Sequence, residues 1–164
     1  MQTPDDLKLT IGRALGRIPS GVFILTAMHE NQPLAMMASW VQQVAFAPPS
    51  IGIAIAKERP AHAALSESGA TFALSVIADG DTSLMKKYAR GIPVGADPFD
   101  GVNIMRTPNG TIVLADALAY LECRVTKAVD FNADHDLFLA GVVAGQIQKD
   151  GPSFMHLRGN GFHY

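Results

Sequence analysis

A single cysteine, Cys123, in a chain of 164 residues excludes an internal disulfide and any metal centre built from several thiolates. It stands in Tyr120-Leu121-Glu122-Cys123-Arg124-Val125, a strand-like run, and reads as a packed core thiol. Charge is scarce as well: 13 Lys plus Arg face 15 Asp plus Glu, for a formal net charge of −2. That balance gives no general pull toward nucleic acid or an anionic membrane, so any anionic ligand must be held by local groups. The apolar run Ile51 to Ala56 is far too short to span a bilayer. Met1-Gln2-Thr3-Pro4-Asp5-Asp6 shows neither a basic nor an apolar leader region, so a soluble, cytoplasmic protein is expected, with no membrane or nucleic-acid partner. Several catalytic patterns are missing too. No GxGxxG follows a strand, there is no GxxxxGK before Ser or Thr, and neither HExxH nor GxSxG occurs. His29, His62, His135, His156 and His163 are scattered, and no metal site is expected.

What is present is apolar residues, 48% of the chain, enough to bury a substantial core in one domain expected over residues 1–164. Thr3 before Pro4, Asp5 and Asp6 is good chemistry for a helix start, and Leu7, Ile11, Ala14, Leu15 and Ile18 follow at helical spacing. Pro19-Ser20-Gly21 stops that helix. Val22 to Ala27 is β-branched and aromatic, His29 to Pro33 supplies turn residues, and Leu34 to Trp40 returns as a partner strand. Ala47-Pro48-Pro49-Ser50 cannot sit in a central ladder, whereas Ile51 to Ala56 reads as a strand buried on both faces. Arg59-Pro60 opens a short helix, Thr71 to Ile77 is a strand, and Thr82 to Tyr88 is helical with Lys86 and Lys87 at the end where the dipole favours cations. Residues 90–110 read as a long structured loop. Tyr120 to Val129, Leu137 to Ile147 and His156 to Tyr164 read as the last strands. Many short strands with few helices predict a mainly β protein with helical decorations.

Spacing alone stops short of a function. In order along the chain stand Ala35-Met36-Met37-Ala38-Ser39-Trp40, Val44-Ala45-Phe46-Ala47-Pro48-Pro49, Ile53-Ala54-Ile55-Ala56-Lys57, Gly95-Ala96-Asp97-Pro98-Phe99, Asp134-His135-Asp136-Leu137-Phe138-Leu139 and Gly161-Phe162-His163-Tyr164. Together they resemble the flavin reductase family with its FMN-binding split β-barrel. Ala14-Leu15-Gly16-Arg17 and Leu114 to Cys123 further resemble the C-terminal flavin reductase module of cyanobacterial flavodiiron proteins.

The resemblance implies FMN as cofactor, NADH or NADPH as co-substrate, a homodimer, and a redox partner protein or domain. It places the flavin against Met36, Met37, Ala38, Ser39 and Trp40, where small side chains and N–H donors allow close approach. The family pattern there is Met-Thr-Ala-Ser-Ser, so Met37 and Trp40 remove two hydroxyls, and phosphate charge falls to Lys57 and Arg59, with Glu58 at the same corner and N–H donors from the helix that follows. Gln42 and Gln43 can donate and accept, as the pyrimidine edge of a flavin requires, but adjacent strand residues face opposite sides, so one contact is expected. His135, in the family's Gly-Asp-His position with Ala133 for Gly, is implied near the ring where nicotinamide stacks. It is the candidate catalytic residue. His163 and Tyr164 are implied beside the flavin, with Phe162 or Tyr164 as an aromatic cover for the ring. Three uses stay open on these residues: NAD(P)H:flavin oxidoreduction, a tightly bound FMN relay for a partner redox protein, and a non-enzymatic split barrel that has lost its flavin.

Overall fold

A computed structural model describes residues 3–162. Helix α1 (Pro4–Leu15) starts where the local chemistry places it. The Asp6 N–H donates to Thr3 Oγ1 at 3.1 Å, and the Asp6 carboxylate accepts from the Thr3 N–H at 3.2 Å, a reciprocal capping box. The helix stops at Leu15, short of the expected Ile18, because Gly16 turns the chain against the C-terminal segment. There the Arg158 N–H donates to the Gly16 carbonyl at 3.1 Å, and a Cβ on Gly16 would strike the Arg158 carbonyl.

Ser20–Gly21 does more than end the helix. It forms β1, paired with β11 (Met155–His156), which is all the strand among the described residues of the segment expected to run through Tyr164. β2 (Phe23–His29) and β3 (Gln32–Ala38) form a hairpin across Glu30-Asn31, whose φ values of 49° and 61° suit a tight primed turn. β4 (Val41–Phe46) and β5 (Pro49–Ala56) form the next hairpin. After it come α2 (Pro60–Ser66), β6 (Thr71–Val76), α3 (Thr82–Ala89), β7 (Ile104–Arg106), β8 (Ile112–Leu114), β9 (Ala119–Asp130) and β10 (His135–Ile147). The β7–β8 hairpin grows partly out of the stretch read as loop.

Seven strands pair in the order β3-β2-β6-β9-β10-β5-β4, every pair antiparallel. β3 and β4 lie at opposite edges of that sheet, yet only Ser39 and Trp40 join them. A link that short reaches roughly 11 Å, so the sheet must curl until its two edges are neighbours. The ladder does not close: the edges meet through the chain itself and not through strand pairing. This is the mainly β, helix-decorated, split-barrel class that the sequence predicts.

The interior is filled from both curled halves, with Ile53, Ile55, Phe72, Leu74, Phe138 and Cys123 in one cluster. Burial, helped by neighbouring Glu122, pushes the Cys123 thiol up to about 12, so it is inert packing. Glu122 is only 2% exposed, and its carboxylate accepts from the Thr111 hydroxyl and, at 3.0 Å, from the Asn109 amide. It ties the β7–β8 turn to β9. Among the described residues no helix is long and apolar enough to cross a membrane.

Candidate functional site

Where β3 leaves the sheet edge, a cleft opens between β3, β5 and the C-terminal end of α3. Its walls are Met36, Met37, Ala38 and Ser39 from β3 and its exit, Ala54, Ile55 and Ala56 from β5, and Tyr88, Ala89 and Gly91 from α3 and the turn after it, with Arg59 at the rim. Small side chains at 38, 54, 56, 89 and 91 make room for a flat ligand between backbone walls. Because β3 is an edge strand, one side of its backbone has no strand neighbour. Tyr88 is anchored from behind, its hydroxyl donating to the Pro98 carbonyl at 2.9 Å, and burial raises that hydroxyl to about 12.

Arg59 is the only cation among the described residues that line this cleft. It is the N-cap residue of α2 but makes no side-chain capping bond, and among the described residues its guanidinium has no acidic partner. Ser39 is buried in the wall at 7% exposure, and its hydroxyl makes no side-chain hydrogen bond among the described residues.

Lys57, expected beside Arg59 on the phosphate, is placed differently. Its Nζ lies 2.9 Å from Asp130 Oδ1 and 3.4 Å from Asp136 Oδ1, and it does not line the cleft. The hydrogen bond to Asp130 raises Lys57 above its ordinary value, and the same bond holds Asp130 below the usual carboxylate range. Two carboxylates brought over from β9 and β10 already neutralise this ammonium. Glu58 is exposed in the β5–α2 turn, outside the cleft lining. Gln42 and Gln43 are both exposed on the edge strand β4 and turn their amides onto nearby carbonyls, of Gln43 and Ala45, each at 3.3 Å.

Trp40 and His135 come together on the other side of the β3–β4 link. Their ring centroids are 4.8 Å apart, and the Arg158 guanidinium carbon lies 5.1 Å from the Trp40 ring centroid. The register explains the placement: His135 pairs with Ala56, and the Ala54 N–H donates to the Trp40 carbonyl at 3.0 Å. Both alanines line the cleft, so the Trp40–His135 pair flanks it one strand away. His135 Nδ1 is 3.0 Å from Asp134 Oδ1, and this contact keeps Asp134 below its ordinary value. Phe162, the described one of the two candidate ring covers, sits against α1, with Lys8 Nζ 5.8 Å from its ring. His163 and Tyr164 lie outside the described residues.

Sequence reading missed Tyr88, Ala89 and Gly91, whose only local signal was a helix end, and His62. The His62 Nε2 is 2.7 Å from Asp136 Oδ2, and its ring meets Phe138 edge-on at 5.3 Å. Asp136 is thus shared by Lys57 and His62, a cluster assembled only when β10 pairs with β5.

Comparison with known proteins gives one consistent picture. The family model described as "Flavin reductase like domain" matches residues 15–162. The chain is 39% identical over 154 residues to Diflavin flavoprotein A 1 of Synechocystis sp., covering 93% of this chain and 26% of that protein. It thus spans about a quarter of the length of the curated relatives it matches. Among solved structures, the NADH:FAD oxidoreductase SgcE6 of Streptomyces globisporus C-1027 superposes with a TM-score of 0.82 at 28% identity, over 96% of this chain and 92% of that one. BorF, the flavin reductase component of a bacterial two-component tryptophan halogenase, superposes with a TM-score of 0.78 at 25% identity, over 90% of this chain and 91% of its own.

Proposed function

The chain belongs to the flavin reductase like domain family, a family of oxidoreductases, and we propose that the cleft between β3, β5 and α3 binds FMN for reduction by NADH or NADPH. The observation that carries this reading is the pairing of a small-residue slot with one uncommitted guanidinium at its rim. A flat ring system needs backbone-close walls, which Ala38, Ala54, Ala56 and Gly91 supply. A phosphate needs a cation without a carboxylate already on it, which Arg59 supplies and Lys57 does not. The Ser39 hydroxyl and the open edge of β3 offer donors to the polar rim of the ring.

When bound, FMN supplies the chemistry, accepting a hydride from the reduced nicotinamide and passing the electrons to an acceptor. The protein's own work is positional. Met36 to Ser39 and Ala54 to Ala56 fix the ring plane. Trp40 and His135, one strand away, form an aromatic face against which a nicotinamide is held, and Asp134 orients the His135 ring. No nucleophile is required, in keeping with the apolar cleft and the inert Cys123.

Two further features support association. Val44, 51% exposed, and Phe46, 90% exposed, stand on the edge strand β4 and favour a homodimer, checked by light scattering after gel filtration. The diflavin relatives, of which the chain spans about a quarter, favour a second use in which FMN stays bound and relays electrons to a partner domain. A relay retains FMN through gel filtration, whereas a reductase of free flavin releases it. The test of the main reading is anaerobic stopped-flow mixing of FMN-loaded protein with NADH and with NADPH. Bleaching of the flavin by at least one is expected. A flavin that stays oxidised with both would overturn the reading.

A further inference from the structure

Beyond the flavin cleft, three arginines border one open cleft at the C-terminal end of α1. Arg13 and Arg17 from the helix and its exit, and Arg158 from the segment after β11, line it with Leu157 and Gly159. None of the three is paired with a carboxylate among the described residues. The negative end of the helix dipole accounts for Arg13, which lies in the last turn. It does not account for Arg158, which comes from the far end of the chain. Arg158 is brought there by its backbone bond to the Gly16 carbonyl, at an approach too close for any residue with a Cβ. Three arginines on one cleft, with no carboxylate partner among the described residues and in a protein of net charge −2, make a local anion trap.

The trap is linked to the flavin cleft. The Arg158 guanidinium donates to the Gly161 carbonyl at 3.3 Å and lies over Trp40, 5.1 Å from the ring centroid. Trp40 in turn faces His135 and follows Ser39, a wall of the flavin cleft. A ligand with an aromatic end at Trp40 and His135 and an anionic body extending away from them would lay that body across Arg158 toward Arg13 and Arg17. Guanidinium forks match phosphate oxygens in pairs, and a diphosphate offers enough oxygens to engage more than one fork.

We infer that this cleft binds the diphosphate of a dinucleotide, an assignment that rests on the flavin reductase reading of the neighbouring site. Two molecules carry that chemistry: a nicotinamide dinucleotide, or FAD bound in place of FMN. The experiment compares the full chain, supplied with FMN, with an Arg13→Gln/Arg17→Gln double variant, both sites lying on exposed surface where folding, checked by circular dichroism, is preserved. Calorimetry measures binding of ADP-ribose, which has the diphosphate but no hydride to give, and flavin fluorescence measures FMN against FAD.

If the nicotinamide dinucleotide is the source, the variant binds ADP-ribose about tenfold or more weakly while FMN affinity is unchanged. If FAD is the source, FAD affinity falls by a similar factor and FMN affinity does not. The inference is overturned if both stay within about twofold of wild type, or if wild type neither binds ADP-ribose nor distinguishes FAD from FMN. Loss of ADP-ribose binding in a protein whose flavin no nicotinamide reduces would overturn the reductase reading alone.

Discussion

Replacing Arg59 with Gln tests the division of labour between the two cations at the end of β5. Arg59 lines the proposed flavin cleft with no carboxylate partner among the described residues, whereas Lys57 is held by Asp130 at 2.9 Å and Asp136 at 3.4 Å. Two unit charges about 4 Å apart interact by about 1 kcal/mol at the dielectric of water and about 4 kcal/mol at an effective value of 20. Arg59 is exposed, so the lower part of that range applies, about 1–2 kcal/mol, or a roughly 5- to 30-fold rise in the FMN dissociation constant. Lys57→Met should change it by no more than about threefold, since that ammonium is already neutralised and exposed pairs are weak. Riboflavin, which lacks the phosphate, should bind wild type and Arg59→Gln equally. The assay is titration of flavin fluorescence at low salt, repeated at high salt, where the Arg59 effect shrinks. An Arg59→Gln protein with wild-type FMN affinity, or a Lys57→Met protein weakened as much as Arg59→Gln, would refute the reasoning.

Other consequences are equally open to measurement. Glu122→Ala leaves the Thr111 hydroxyl and Asn109 amide without their buried acceptor, so it should cost about 2–3 kcal/mol and lower Tm by roughly 5–10 °C in thermal unfolding. An unchanged Tm would remove Glu122 from the account of how the β7–β8 turn is held. Trp40 is the only tryptophan and adjoins Ser39, so FMN binding should quench protein fluorescence; Trp40→Phe should abolish that signal while flavin fluorescence still reports binding. Asp130 titrates below its ordinary value of 3.8, so its stabilisation is complete above about pH 4 and is lost as pH falls through the folded value. Lys57 is raised above 10.5, so its share is complete below that and is lost as pH rises through the folded value. Urea midpoints of Lys57→Met should therefore fall less than those of wild type on acidification below about pH 4. Parallel curves for the two proteins would contradict that pairing.

Local chemistry was legible in the sequence wherever the determinant and its effect lie within a few residues. Thr3 and Asp6 cap one another, Pro60 opens α2, and the apolar run at Ile51 to Ala56 is a strand buried on both faces. The mainly β class followed from the same punctuation. Long-range pairing was not legible. β1 finds β11 only because the fold brings the two ends of the described chain together. The same limit explains Lys57: Asp130 lies 73 residues away, and nothing near position 57 announces it. His62 and Asp136, 74 residues apart, are a second case. At the site, the family pattern pointed to residues 36–40, and the structure brings 36–39 to one cleft wall. It turns the Trp40 ring toward His135 and Arg158, because the short β3–β4 link must cross the seam there. The opposite wall, from Tyr88 to Gly91, comes from a helix end whose sequence speaks only of dipole and charge.

The central claim is that the slot between β3, β5 and α3 holds a flavin whose electrons come from a nicotinamide. Anaerobic absorbance of the FMN-loaded protein, followed as NADH or NADPH is added, tests it most directly. The expected result is a flavin band that is shifted from that of free FMN by the protein and bleaches with at least one of the two donors. A protein that leaves the FMN spectrum unshifted, and whose flavin neither donor reduces, would contradict it.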